Sequence, residues 1–251
     1  MLTSIRGLTA ASLAAIAAFS STAALAQGED TDPPGPVEVS ANVAIASEYR
    51  FRGVDLSGGE VAIQGGFDVA HESGFYVGTW ASSLDEQTVG YGSTELDIYG
   101  GWGGDLTDGL SADVGVIGYL YPDAGPGDFD YIELYGSLTF GLGPVEATTG
   151  VAYAPSQDSL GNTDNLYLYT DLGVGIPDTP VTITGHVGYT DGFLTFTNNG
   201  KAFDWSIGAE AAIGGTPLSI GAAYVGAEGD IGAGAYDFVD DAFVVTLSAS
   251  F

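Results

Sequence analysis

From residue 38 onward, apolar side chains recur at every second position and seldom at the three-and-four spacing of a helix. This is the period of a β-strand with one greasy and one polar face. In the last segment Phe243, Val245, Leu247, Ala249 and Phe251 share one face, with Val244, Thr246, Ser248 and Ser250 on the other. Leu166, Leu168 and Leu172 stand opposite Tyr167, Tyr169 and Asp171 in the same way, as do Val181, Ile183 and Val187 opposite Thr182, Thr184 and His186. The pattern predicts twelve strands, at 38–50, 61–71, 75–84, 93–104, 110–121, 129–140, 144–154, 164–175, 180–190, 202–213, 217–225 and 241–251. Most run for ten to twelve residues. Strands of soluble proteins average about five or six, whereas a tilted strand needs about nine to eleven to cross a bilayer.

The connections alternate in length. HESG, DLTDG, GLG, IPDT and GGT follow the even-numbered runs, and longer pieces from FRGVDLSGGE to GAEGDIGAGAYDFVD follow the odd-numbered ones. Outer-membrane barrels combine short periplasmic turns with longer external loops, so both termini are expected in the periplasm. A sheet in lipid must also close, because an open edge leaves unpaired backbone groups at several kcal/mol each. The expected fold is therefore all-β: one membrane-spanning antiparallel barrel of 12 strands over residues 38–251. A soluble β-sandwich also alternates, but it has shorter strands and no reason for regularly alternating loops. Tyr49, Phe75, Trp102, Phe140, Tyr189, Phe203, Trp205, Tyr224 and Phe243 near strand ends are expected to form interfacial girdles.

Composition narrows the function. Thirty-three acidic residues against 4 basic ones give a formal charge of −29, which repels phosphate backbones and excludes nucleic-acid binding. With 45% hydrophobic residues the chain folds despite that charge, and with no cysteine it carries no disulfide or thiolate chemistry. Residues 1–26 read as a signal peptide, with Arg6, the apolar stretch Leu8 to Phe19 and the cleavage pattern Ala24-Leu25-Ala26. Residues 27–37 form an acidic, Pro-rich lead-in. No later window approaches the roughly 18 apolar residues of a helical span. Export followed by a barrel points to the outer membrane of a Gram-negative bacterium.

If the apolar rows face lipid, the polar rows face a lumen. Glu48, Asp68, Glu95, Asp97, Asp113, Glu133, Glu146, Asp171, Asp204 and Glu210 all fall on the inner rows, with Arg50, His186, Tyr99, Tyr119, Tyr131, Tyr135, Tyr167 and Tyr169. Arg50, and Arg52 just beyond it, either brace the wall by charge-assisted contacts or set a transverse field; a narrow lumen needs its charges compensated, which favours the brace. Twelve strands leave at most a narrow bore. Passive diffusion of small hydrophilic solutes, with cations preferred, is the expected function. A non-conducting scaffold or adhesin is the alternative: its loops would present Asp55, Asp85, Glu86, Asp123, Asp128, Asp158, Glu228, Asp230, Asp237, Asp240 and Asp241 to divalent cations and lipopolysaccharide. No loop matches the twelve-residue calcium pattern. A lipid hydrolase is a remoter alternative, since only His71 and His186 offer an imidazole and neither has a placed serine. No catalytic residue, metal ligand or cofactor is expected.

Ser40 to Ser83, followed by Thr94 to Trp102, resembles the TorF family of proteobacterial outer-membrane porins. The likeness is carried by Tyr49-Arg50-Phe51-Arg52-Gly53, Ile63-Gln64-Gly65-Gly66-Phe67 and His71-Glu72-Ser73-Gly74. It implies an outer-membrane barrel and a channel, and it supplies neither a substrate nor catalytic residues. The closing run Phe243, Val245, Leu247 and Phe251 also resembles the C-terminal signal read by the barrel assembly machinery.

Overall fold

A computed structural model describes residues 36–127, 129–229 and 236–251. The expected signal peptide, all but the last two residues of the expected lead-in, Asp128 and Asp230 lie outside the described residues. The strands are β1 (Val37–Ala46), β2 (Arg50–Phe51), β3 (Val54–Asp55), β4 (Ala62–His71), β5 (Phe75–Ser83), β6 (Thr94–Thr107) and β7 (Leu110–Leu120). They continue with β8 (Tyr131–Leu142), β9 (Val145–Gln157), β10 (Thr163–Gly175), β11 (Val181–Gly192), β12 (Lys201–Ala212), β13 (Leu218–Ala227) and β14 (Ala242–Ser250). A single helical turn, α1 (Glu86–Val89), follows β5. Among the described residues no helix is long and apolar enough to cross a membrane.

Twelve of these strands form one closed antiparallel barrel, the expected fold. Each pairs with its neighbours in the chain, and β1 seals the ring by pairing with both β4 and β14. Alternation does what the residue pattern requires. Ile98, Val116, Leu134, Leu168, Val187, Ile207 and Leu247 are exposed on the outer face, while Glu95, Tyr119, Glu133 and Tyr167 are buried inside. Inward tyrosines are accommodated by glycines on adjacent strands. A Cβ on Gly78 would lie 2.5 Å from the Tyr99 ring, and one on Gly115 would lie 2.5 Å from that of Tyr135.

Three strand ends lie three or more residues from the expected ones, and β6 is one of them, running on to Thr107. The first strand ends at Ala46 instead of continuing to residue 50, so Glu48 and Arg50 leave the wall. The expected seventh strand, β9, runs on to Gln157, because a bulge between Thr163 and Asn165 carries its pairing with β10 past Pro155. That extension shortens the connection at 158–162 to the length of the longer opposite turns.

The segment after β1, called loop 1 (residues 47–61), does not stand out in solvent. It folds into the barrel as the hairpin β2–β3, pairing Arg50 with Asp55 and Phe51 with Val54. Arg52 and Gly53 between them both have positive φ, 50° and 78°, the sign of the type I′ turn that matches strand twist. Gly53 is required there, since a Cβ would meet Ala227 at 2.6 Å and the Gly226 carbonyl at 2.7 Å. Tyr49 and Leu56 join Trp80, Leu84, Tyr119, Tyr121, Tyr131, Leu160 and Tyr167 in an apolar core inside the barrel. Tyr49 is 2% exposed, so it belongs to this core and not to a girdle. Phe75, Phe140, Phe203, Tyr224 and Phe243 are exposed outside as expected.

Candidate functional site

The interior at the level of loop 1 is a chamber of carboxylates and aromatic rings. Its walls come from inward positions of β5 to β12, and its centre comes from the hairpin tip. Arg52 donates from Nη2 to Glu133 Oε2 at 2.6 Å. Its guanidinium also lies 4.1 Å from the Tyr167 ring centroid and 4.7 Å from that of Phe51. Burial works against this charge, but Glu133, helped by Tyr119, more than offsets it, and the guanidinium holds its proton more tightly than an ordinary arginine. Opposite-charge pairing makes the buried cation tolerable.

Most inward acids have a tyrosine hydroxyl as donor. Tyr49 donates to Glu95 at 2.9 Å and Tyr119 to Glu133 at 3.2 Å. Tyr76 donates to Asp113 at 2.9 Å, Tyr99 to Asp68 at 2.6 Å and Tyr167 to Asp204 at 3.1 Å. A phenol suits this task because it satisfies a lone pair without adding charge. Burial first, and Glu95 second, push the Tyr49 hydroxyl well above its ordinary pKa. It therefore keeps its proton and remains a donor to Glu95.

Asp97 has no such donor. It is 2% exposed, faces Trp80 on β5 and Tyr119 on β7, and its Oδ1 has no hydrogen-bond partner. Glu133 Oε1 and Arg52 Nη1 are likewise buried without partners.

His186 bridges two acids. Its Nδ1 lies 2.6 Å from Asp171 and its Nε2 2.8 Å from Asp204, with the Tyr167 hydroxyl 2.9 Å from Nε2. Both ring nitrogens meet carboxylates, which is the arrangement of a wall cross-link. His71 is the last residue of β4, exposed, with its Nδ1 2.7 Å from the hydroxyl of Ser73 on the following turn.

Of the ten acids, Arg50 and His186 expected on the inner rows, Glu95, Asp97, Asp113, Glu133, His186, Asp204 and Glu210 are buried on the inner face. Asp68 and Asp171 are half-buried, and Glu146 is exposed near the end holding the short turns. Glu48 and Arg50 sit in loop 1, not on the wall. They pair with each other, and Arg50 Nη1 also donates to the carbonyls of Gly53 at 3.1 Å, Phe238 at 3.3 Å and Asp240 at 2.8 Å. Arg50 thus fastens loop 1 to the last long loop. Asp55, expected among the solvated loop acids, is fully buried; it accepts from the Ser57 backbone N–H at 2.8 Å and from the Tyr236 hydroxyl. Among the described residues no three His, Asp or Glu side chains converge as metal ligands. Sequence reasoning missed Tyr76, Trp80 and Tyr121, although their inward parity on β5 and just past β7 was available.

No curated protein matches the sequence. Among solved structures the chain is similar to the KdgM porin in complex with disordered oligogalacturonate, at TM-score 0.55 and 5% identity, over 85% of this chain and 97% of that one. It also aligns with Pseudomonas aeruginosa OpdK bound to vanillate at TM-score 0.44 and 15% identity, covering 76% of this chain and 57% of that one. The Salmonella typhi OmpF complex with daunomycin gives TM-score 0.45 and 10% identity, over 86% and 97%. These likenesses concern the fold. The family described as "Bacterial protein of unknown function (Gcw_chp)" matches residues 30–251, nearly the whole chain, and the protein belongs to that Gcw_chp family.

Proposed function

We propose that the protein is a porin-like channel of a Gram-negative outer membrane, passing small hydrophilic solutes with a preference for cations. The observation that carries this reading is the two-faced wall: exposed aliphatic side chains outside, and carboxylates with tyrosines inside a closed ring. Lipid accepts the first face and water the second. The resemblance to TorF porins and the barrel likeness to the KdgM porin support it. The end with the short turns and both termini faces the periplasm, where the assembly machinery reads Phe243, Val245, Leu247 and Phe251. The long-loop end faces outward, where its acids meet lipopolysaccharide and divalent cations. Fixed negative charge along the bore raises the local cation concentration.

The interior core beneath loop 1 favours a second reading, a non-conducting scaffold, because Tyr49, Gly53 and Arg52 reach β6, β13 and β8 across the bore. Planar-bilayer recording separates the two. Discrete conductance with reversal potentials set by the cation is the expected result. Anion-set potentials would overturn the cation preference, and silence at all voltages would leave the scaffold.

A further inference from the structure

Arg52 is held as a bound ligand would be. Its guanidinium lies against two aromatic rings and a buried carboxylate, contacts suited to recognition of a planar cation. The fit is incomplete. Arg52 meets Glu133 through one nitrogen, while its own Nη1, Glu133 Oε1 and Asp97 Oδ1 remain unpaired. A guanidinium free to turn can place two parallel N–H donors on both oxygens of one carboxylate, the stronger forked arrangement. Arg52 makes one hydrogen bond to Glu133, and it is carried on a backbone at φ 50°, a region that disfavours residues with a Cβ. The chamber therefore offers more acceptors than its tethered occupant uses.

We propose that this chamber is a binding site for a small alkylguanidinium cation, and that Arg52 occupies it as a built-in competitor. The inference deepens the channel reading by naming a solute class, and it rests on that reading for its physiological meaning. An incoming guanidinium takes Glu133 in forked geometry beside Asp97, Arg52 withdraws with the hairpin, and loop 1 loosens from the bore. Binding and loop release are coupled because both cations need the same carboxylate.

The test uses the full barrel in detergent with methylguanidinium as probe, and N-methylurea and sodium chloride at equal concentration as controls. In Arg52→Gln, methylguanidinium raises the melting midpoint saturably and the controls do not. Titration calorimetry finds the wild type at least about tenfold weaker than Arg52→Gln, as follows when Arg52 holds the site for more than about 90% of the time. Adding Asp97→Asn to Arg52→Gln weakens binding again. In the wild type, methylguanidinium accelerates amide hydrogen exchange in residues 49–57, a readout that stands even if Arg52→Gln fails to fold. Equal affinity of wild type and variant, a shift matched by sodium chloride, or unchanged exchange would overturn the proposal. None of these measurements needs a conducting pore, so a barrel that passes no ions would refute the channel and leave this result intact.

Discussion

Arg52 and Glu133, 81 positions apart in sequence, share a 2.6 Å ion pair in which the side chains are 6% and 0% exposed. Removing one partner from such a pair costs about 3–5 kcal/mol, because the other is left charged in a dry site. Glu133→Ala is expected to destabilise the loop-1 core by about that much. The double variant with Arg52→Ala should recover part of the loss, and unfolding in detergent across the four-member cycle measures the coupling.

Gly53→Ala is expected to dislodge the hairpin. The new Cβ meets Ala227 and the Gly226 carbonyl, and the backbone is held at φ 78°. Positive φ alone costs a residue with a Cβ about 1–2 kcal/mol. Faster exchange of the Asp55 amide, which normally donates to the Phe238 carbonyl at 2.7 Å, reports the loss.

Glu48 gives a pH signature. Burial is the largest influence on it and raises its pKa above the ordinary 4.5, while Arg50 pulls the other way. The folded loop thus binds the proton more tightly than the unfolded chain. Its contribution to stability is complete below pH about 4.5, falls as pH rises through the folded value, and is flat beyond it. Unfolding midpoints measured across that window should lose this slope in Glu48→Gln.

The two faces of the wall respond oppositely to the same charge. Leu168→Arg, on the exposed outer face of β10, is expected to cost about 2–4 kcal/mol in lipid. Ser137→Arg, on the inner row of β8 beside half-buried Tyr169, should cost much less. Equal losses in vesicle unfolding would contradict an outer face in contact with lipid.

Asp68 and Asp113 lie on the inner rows below the hairpin, each accepting from a tyrosine. Replacing both by Asn keeps an acceptor oxygen and removes two fixed charges. Bilayer recordings are expected to show a reduced cation-to-anion permeability ratio with the fold intact.

The barrel was legible because most wall residues obey one rule, greasy outside and polar inside, along all twelve wall strands. Loop 1 was not, because its parity imitates a strand. Ser47, Tyr49 and Phe51 alternate with Glu48 and Arg50 as if the wall continued, yet the backbone turns inward after Ala46. A local signal was present in Arg52-Gly53 between Phe51 and Val54, a turn pair ending in glycine between apolar residues. It forecasts the hairpin but not its direction, which depends on Glu133 and Tyr167 far along the chain. The same distance hid Asp55, whose donor Tyr236 is 181 residues away.

The seam of the barrel sets an order of events. Phe251 and Ala41 exchange backbone hydrogen bonds at 2.9 and 3.1 Å, and Val245 donates to the Ser47 hydroxyl 198 residues earlier. The first strand therefore waits for the last, and the cylinder cannot be sealed during synthesis. Until β14 arrives, two hydrogen-bonding edges stay open to pairing with other chains.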